Sequence, residues 1–449
     1  MTNDSPPLPM PPSQFLSYLS NHPKNETRKL LQPYLYYEAW LREAFVRGDA
    51  GIDNFANMVP IYNGYEEAFR IRTIDREATD REKYIMPLPD YAREEDSVLA
   101  ITGSMEEYQR NFDAFSHGPN GGGMLRICTS KIDWSNVVVA GSSALLPLLS
   151  RRKDMPMIDD PHIDNSLEDY FKTIAQTSDI DIFLYGIDSE DAAITLIFQL
   201  ESMVRMNQNL CPGEGLSVRS KKAITFISPK PPYRHVQIIL RLYKSISEIL
   251  TGFDVDCACV AFDGRQVYSN PRGISAIATR TNTIDLTRRG PAYENRLFKY
   301  RSRNFEVFWD SLERPRIDIR LFNPLLYRLE EPKGLARLLS FEQELGEEED
   351  DYWERRFKQG INDSGESVRR GYALYEIPYG EYLTVERFRE DFRSHPDDPC
   401  LVGTIQEVTA GKESGARGEE SLIGKVSFIQ QIPGQQMVES FEPLVEDDW

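Results

Sequence analysis

Residues 178–185 read Ser-Asp-Ile-Asp-Ile-Phe-Leu-Tyr, and the fold of the whole chain is read outward from them. Ile180, Ile182 and Leu184 alternate with Asp179, Asp181 and Phe183, the period of two expected of a strand. Residues i and i+2 of a strand share a face, so the two carboxylates converge. Strands are poor in Asp, and two like charges on one face repel. A divalent cation accounts for such a pair, because carboxylate oxygens hold Mg²⁺ and leave positions for substrate phosphates.

Upstream, Asn136–Ala140 is a β-branched strand, interrupted by Gly141-Ser142-Ser143 before an apolar helix over 144–149. Downstream, Asp188–Asp191 carries the signature of a helix N-cap, and Ala193, Ile197, Leu200 and Val204 fall on one side of the helix that follows. Further strands are expected at 223–227, 236–240 and 253–262, with a short helix at 245–250. This order predicts an α+β class with a mixed-sheet core and helical additions at both ends. A second carboxylate pair, Asp254 and Asp256, is expected on the strand 253–262, with Phe253, Val255 and Cys257 on its buried face. The small-residue turn at Gly141-Ser142 brings backbone N–H groups toward a triphosphate. With two metals bound, one activates the attacking oxygen and the other stabilises departing pyrophosphate.

A GS turn, a DxD strand and a later strand carrying a third acid resemble the polymerase-beta-type nucleotidyltransferase superfamily. The resemblance implies that Asp179, Asp181 and Asp256 (or Asp254) bind Mg²⁺, with Mn²⁺ as the alternative ion, and act as the catalytic acids. It implies that Gly141, Ser142 and Ser143 contact nucleotide phosphates, with NTP as substrate and a small molecule, a protein or RNA as acceptor. The stretch from Ser142 to Asp179 exceeds the usual gap of that superfamily, so residues 151–177 are expected to loop out. A non-catalytic scaffold of the same fold is the competing expectation, with the acids pairing to Arg241 or Lys244.

Over most of its length the chain also resembles a group of fungal proteins labelled "ankyrin repeat protein". SDIDIFLYG (178–186), the run 234–264, the run 282–309 and GKVSFIQQIPGQQMVESFEPLVEDDW (424–449) carry that resemblance. The ankyrin signature TPLHxA is absent from the sequence.

Lys and Arg number 52 against 71 Asp and Glu, a net charge of −19, which argues against a general nucleic-acid coat. A local exception runs from Thr279 to Arg303, where Arg280, Arg288, Arg289, Arg296, Lys299, Arg301 and Arg303 outnumber Asp285 and Glu294. Two readings are open for it. It binds triphosphate, through Arg288 and Arg289, or an acceptor nucleic acid; or else it is a solvated face that pairs internally with the acidic tail. A second basic stretch (Arg219, Lys221, Lys222, Lys230, Arg234) is placed beside the same cleft. Five cysteines without a CxxC pair, and histidines without metal spacing, give no disulfide framework and no zinc site. The N-terminus lacks a secretory signal and no apolar run is long enough to span a membrane, so cytosol or nucleus is the expected compartment. The expected organisation is a Pro-rich disordered segment 1–14, a helical region 15–117, the nucleotidyltransferase-like core 130–265, a helical basic region 266–340, an acidic linker 341–420 and a C-terminal hairpin 421–449. The Gly-rich 118–123 is expected to be a flexible loop.

Overall fold

A computed structural model describes residues 11–73, 81–89, 92–116, 134–151, 167–175, 178–228, 233–290, 292–317, 334–347, 384, 386, 400–411, 424–429, 437–438 and 442–443. Two helices come first, α1 (Pro12–Asn21) and α2 (Thr27–Arg47). Along α2, Leu31, Tyr34, Glu38, Leu41, Arg42 and Phe45 are buried, the three- and four-residue spacing of a core-facing stripe. Gly48, at φ +71°, stops the helix in the left-handed conformation that glycine takes without strain. Two short strands, β1 (Val59–Pro60) and β2 (Tyr84–Ile85), lie before α3 (Met105–Ser116). Tyr108, Phe112 and Phe115 of α3 are buried in the core.

The central unit follows. β3 (Val137–Ala140) leads into α4 (Ser142–Leu148), then α5 (Leu167–Ile174), β4 (Ile180–Tyr185) and α6 (Glu190–Asn207). The Ser189 hydroxyl caps α6 by accepting from the Ala192 N–H. β5 (Ser217–Arg219), β6 (Ala223–Phe226), β7 (Val236–Tyr243), α7 (Ile246–Gly252), β8 (Val260–Phe262), β9 (Val267–Ser269) and α8 (Pro271–Thr279) complete it. Beyond come β10 (Thr281–Thr283), α9 (Tyr293–Arg301), β11 (Glu306–Phe308), α10 (Ala336–Glu347), β12 (Leu401–Gly403), α11 (Ile405–Ala410), β13 (Met437–Val438) and β14 (Glu442–Pro443).

One mixed sheet has the order β1-β9-β8-β3-β4-β7-β6-β5-β12. β3 and β4 pair antiparallel, with Val138 opposite Phe183, whereas β4 and β7 pair parallel across the α6 crossover. In that parallel register Asp181 lies beside Gln237. A smaller sheet, β10-β11-β2, packs nearby. The class is α+β. A single buried cluster reaches from Phe15 through the sheet to Phe428, which ties the N-terminal helices to the core.

Several local expectations change. The strand expected over 253–262 is confined to β8, and Asp256–Ala258 forms a 3-10 turn. Asp256 there accepts the Thr283 N–H and an Arg272 N–H, partners that a regular strand would not offer it. The region 266–340, expected to be helical, is not purely so, because β10 and β11 pair in parallel within it. The expected looped-out segment contains α5, whose Phe171 is buried against Phe115 of α3. Helix α10 runs to Glu347, into the expected acidic linker 341–420. For the C-terminus the sequence suggests a hairpin around Pro433-Gly434; the pairing described there joins Met437 to Pro443 and Val438 to Glu442. That dipeptide, the Gly-rich 118–123 and most of 348–399 lie outside the described residues.

Arg234 is a buried positioning residue. Its guanidinium donates to the carbonyls of Phe115 (2.5 Å), Ser178 (2.9 Å), Phe171 (3.2 Å) and Ala175, and lies over the Phe115 ring. Arg234→Met is expected to cost about 3 kcal/mol, because it orphans buried carbonyls just before β4. Urea unfolding checks this, and a loss below about 0.5 kcal/mol would remove the positioning role.

Candidate functional site at the Gly141 turn

The sheet fixes the site because β3 ends where β4 begins. At Gly141 the backbone adopts φ +74°, ψ −139°, a region open essentially to glycine alone. The Gly141 N–H is satisfied by the Val260 carbonyl at 2.9 Å, so β8 anchors the turn. Immediately after it, the Ser143 hydroxyl donates to the Ala140 carbonyl at 3.1 Å and accepts the Asp181 N–H at 3.3 Å. The turn and the DxD segment are thereby joined directly.

A second link crosses the same gap. Arg303, just beyond α9, donates to the Ser142 hydroxyl and, at 2.7 Å, to the Ser178 hydroxyl. Asp179 and Asp181 are both half-buried. Burial pushes the Asp181 carboxyl up to about 6, against the pull of Lys299 and Arg303, which favour its charged form. The Tyr300 phenol is raised by burial, and burial pulls the Arg303 guanidinium down. Ser142, Ser143, Ser178 and Asp181 are thereby linked by hydrogen bonds, with Gly141 and Asp179 next to them along the chain.

Asp254 and Asp256 are drawn elsewhere. Arg296 holds Asp254 at 2.5 Å, and Arg272 holds Asp256 at 2.9 Å. Arg272 also pairs with Glu38 of α2 at 3.0 Å, and Glu38 in turn pairs with Arg288 at 3.1 Å. Both acids are nearly fully buried and neutralise guanidiniums, so the pairing expected with Arg241 or Lys244 occurs with other arginines. Arg241 pairs with Glu248 at 2.6 Å. Arg288 spends its remaining donors on Asp285 and the carbonyls of Thr251 and Phe253, and Arg289 pairs with Glu294 at 2.6 Å. The basic segment thus pairs largely with internal acids of the folded core. Arg219 of the second basic stretch donates to the Val408 and Gly424 carbonyls.

Two contributors escape a linear reading, Ser178 and Gln237, whereas Arg303 lies in the basic segment that the sequence singles out. The parallel pairing of β4 with β7 sets Gln237, an amide, beside Asp181, and its Nε2 donates to the Thr225 hydroxyl at 3.2 Å. The apolar helix between the two strands is the signal for that parallel pairing. Among the described residues, no three His, Cys, Asp or Glu side chains gather closely enough to hold a metal. Asp179 and Asp181 alone match the one or two carboxylates with which Mg²⁺ is often held, its other positions going to water and substrate phosphate. Among the described residues no helix is long and apolar enough to cross a membrane.

Comparison with known proteins adds a family resemblance over this part of the chain. Residues 104–280 match the family model described as Gad2, Gabija anti-defense 2 family protein. The match runs from α3 to α8 and so includes the Gly141 turn and β4. Uncharacterized protein R883 of Acanthamoeba polyphaga mimivirus is 28% identical over 229 residues, 49% of this chain and 43% of that protein. The chain therefore spans less than half the length of this relative. No solved structure matches the chain.

Proposed function

We propose that the chain is a nucleotidyltransferase-type protein that binds a metal–NTP at Asp179 and Asp181 and transfers NMP to an acceptor hydroxyl. The observation that carries this is the junction of the glycine turn with the carboxylate pair through Ser143 and Asp181. In the reaction the acceptor oxygen bonds to the α-phosphorus, the α–β phosphoanhydride bond breaks, pyrophosphate leaves and the acceptor proton passes to solvent. Mg²⁺ or Mn²⁺ held by the two carboxylates would supply charge neutralisation on the phosphates. Ser142 and Arg303 orient the phosphate chain, and Asp181 must be ionised to act as a ligand.

A second reading, nucleotide binding without transfer, draws on Gln237. An amide beside Asp181 adds no negative charge to a two-metal centre, and Asp254 and Asp256 are engaged by arginines. The matched family is described as Gabija anti-defense, which for this chain supports an anti-defense role under either reading. The acidic net charge favours a small-molecule or protein acceptor at least as much as RNA.

The test is transfer of label from α-labelled NTPs with Mg²⁺ or Mn²⁺, in cell extract supplying acceptors. Wild type is expected to label a product and the Asp179→Ala/Asp181→Ala double variant to lose at least about a hundredfold of that rate. Metal-dependent NTP binding with no labelled product in any extract would leave the binding reading. Absence of both would sink the nucleotide proposal.

A further inference from the structure

We propose that the outward face of α2 is a self-association surface, on which a second copy of the chain seats its own α2 in antiparallel orientation. Of the twelve residues Leu30–Leu41 only Glu38 is charged, and Glu38 is buried in a pair with Arg272 of α8. The solvent side of the helix between Lys29 and Glu43 is therefore uncharged: Gln32, Pro33, Tyr36 and Ala39 are exposed there and Trp40 is half-buried. A surface helix carries charged and polar residues on its outer face, whereas a helix apolar all round lies between two layers. The chain supplies one of those layers, through α7 and α8. On the other side Tyr36 stands 73% exposed, more than any other large apolar side chain among the described residues.

The spacing and the charges name the occupant. Lys29, Gln32, Tyr36, Ala39 and Glu43 follow one another at alternating steps of three and four, the 3.5-residue repeat with which one helix packs along another. With a two-fold axis at Tyr36, residues equally far before and after it face each other across the pair. Lys29 then meets the second copy's Glu43, Pro33 meets its Ala39, and each contact occurs twice, as an isologous interface requires. Lys29 and Glu43 are 77% and 56% exposed. Their present partners, Glu26 for Lys29 and Arg47 for Glu43, form exposed pairs of little energetic weight and leave both groups able to engage a second chain. Most surfaces of a chain with net charge −19 meet their own copy with like charges opposed. This face instead has an uncharged centre and opposite charges brought together at both ends. One helix face falls short of the roughly 800 Å² per partner of a standard interface, so a dissociation constant of about 10–100 μM is expected.

The experiment is sedimentation velocity of the full chain from about 5 to 500 μM, a range that brackets the expected constant. Wild type is expected to pass from monomer to dimer as concentration rises. Tyr36→Glu, which sets two carboxylates together at the axis, should weaken the dimer by about tenfold or more. Lys29→Glu and Glu43→Lys should each weaken it by about three- to tenfold, and the combined exchange should return it to within about twofold of wild type. All three positions are exposed, so the variants are expected to fold, which circular dichroism verifies. Met206→Glu, at an exposed apolar position of α6, should leave the dimer unchanged. A wild-type chain that stays monomeric over the whole range overturns the proposal and leaves the face to a different protein. A dimer indifferent to Tyr36→Glu, or one that the combined charge exchange does not restore, overturns the pairing through α2.

Discussion

Glu38→Ala is expected to destabilise the protein by about 3–5 kcal/mol, measured as a lower urea midpoint with the slope unchanged. Glu38 is 1% exposed and sits between two guanidiniums, Arg272 at 3.0 Å and Arg288 at 3.1 Å. Removing it leaves Asp256 and Asp285 to balance Arg272, Arg288 and the adjacent Arg42. That third guanidinium is already strained electrostatically: burial and the neighbouring Arg288 pull its pKa down to about 9. Desolvation of an unmatched cation is the dominant cost, since the buried cluster cannot rehydrate without opening α2 away from α8. A useful contrast is Lys29→Ala, which breaks the surface pair with Glu26, where Lys29 is 77% exposed. It should change stability by less than about 0.5 kcal/mol. Equal effects from the two substitutions would show that the buried cluster has no special energetic weight.

Asp181→Asn is expected to raise stability at pH 7.5 by about 2–3 kcal/mol and, under the proposed function, to abolish metal binding, a trade common at functional sites. The sign follows from the raised carboxyl. Burial lifts Asp181 from 3.8 to about 6, so between those values the folded chain keeps a proton that the unfolded chain has released. Stability from this residue is therefore fully present below about pH 4 and lost as pH rises through about 6. Asparagine has no proton to lose, so the variant should match wild type near pH 4 and exceed it above pH 6. Thermal or urea melts across that range check it. A constant difference at all pH values would assign the effect to packing instead. Under the proposed function, the same titration predicts that Mn²⁺ binding weakens as pH falls below about 6, because the protonated carboxyl no longer offers its charge to the ion.

How much of this was legible along the chain depends on the range of the interaction involved. The alternation of 178–185 marks β4, the β-branched run marks β3, and Gly141 marks the turn, because each signal acts within a few residues. The capped start of α6 belongs with them, since Ser189 reaches only to Ala192. The meeting of Ser143 with Asp181, 38 positions on, is not such a signal and was expected only from the resemblance to nucleotidyltransferases.

The fate of the second carboxylate pair could not be read that way. Asp254 and Asp256 look like metal ligands in isolation, and only folding reveals that Arg296 and Arg272 already occupy them. Gln237 becomes Asp181's neighbour only through the register of a parallel pair.

The sequence by itself determined the α+β class, the strands β3, β4, β6 and β7, and the glycine turn between β3 and α4. Periodicity, small-residue turns and caps are short-range effects that residue order encodes directly. The tertiary structure alone decided which charges pair with which. Glu38 and Arg272 meet from 234 positions apart, and Arg303 reaches Ser142 across 161. Burial makes such pairing close to obligatory, because a charge removed from water must find a counter-group, yet residue order does not say which one.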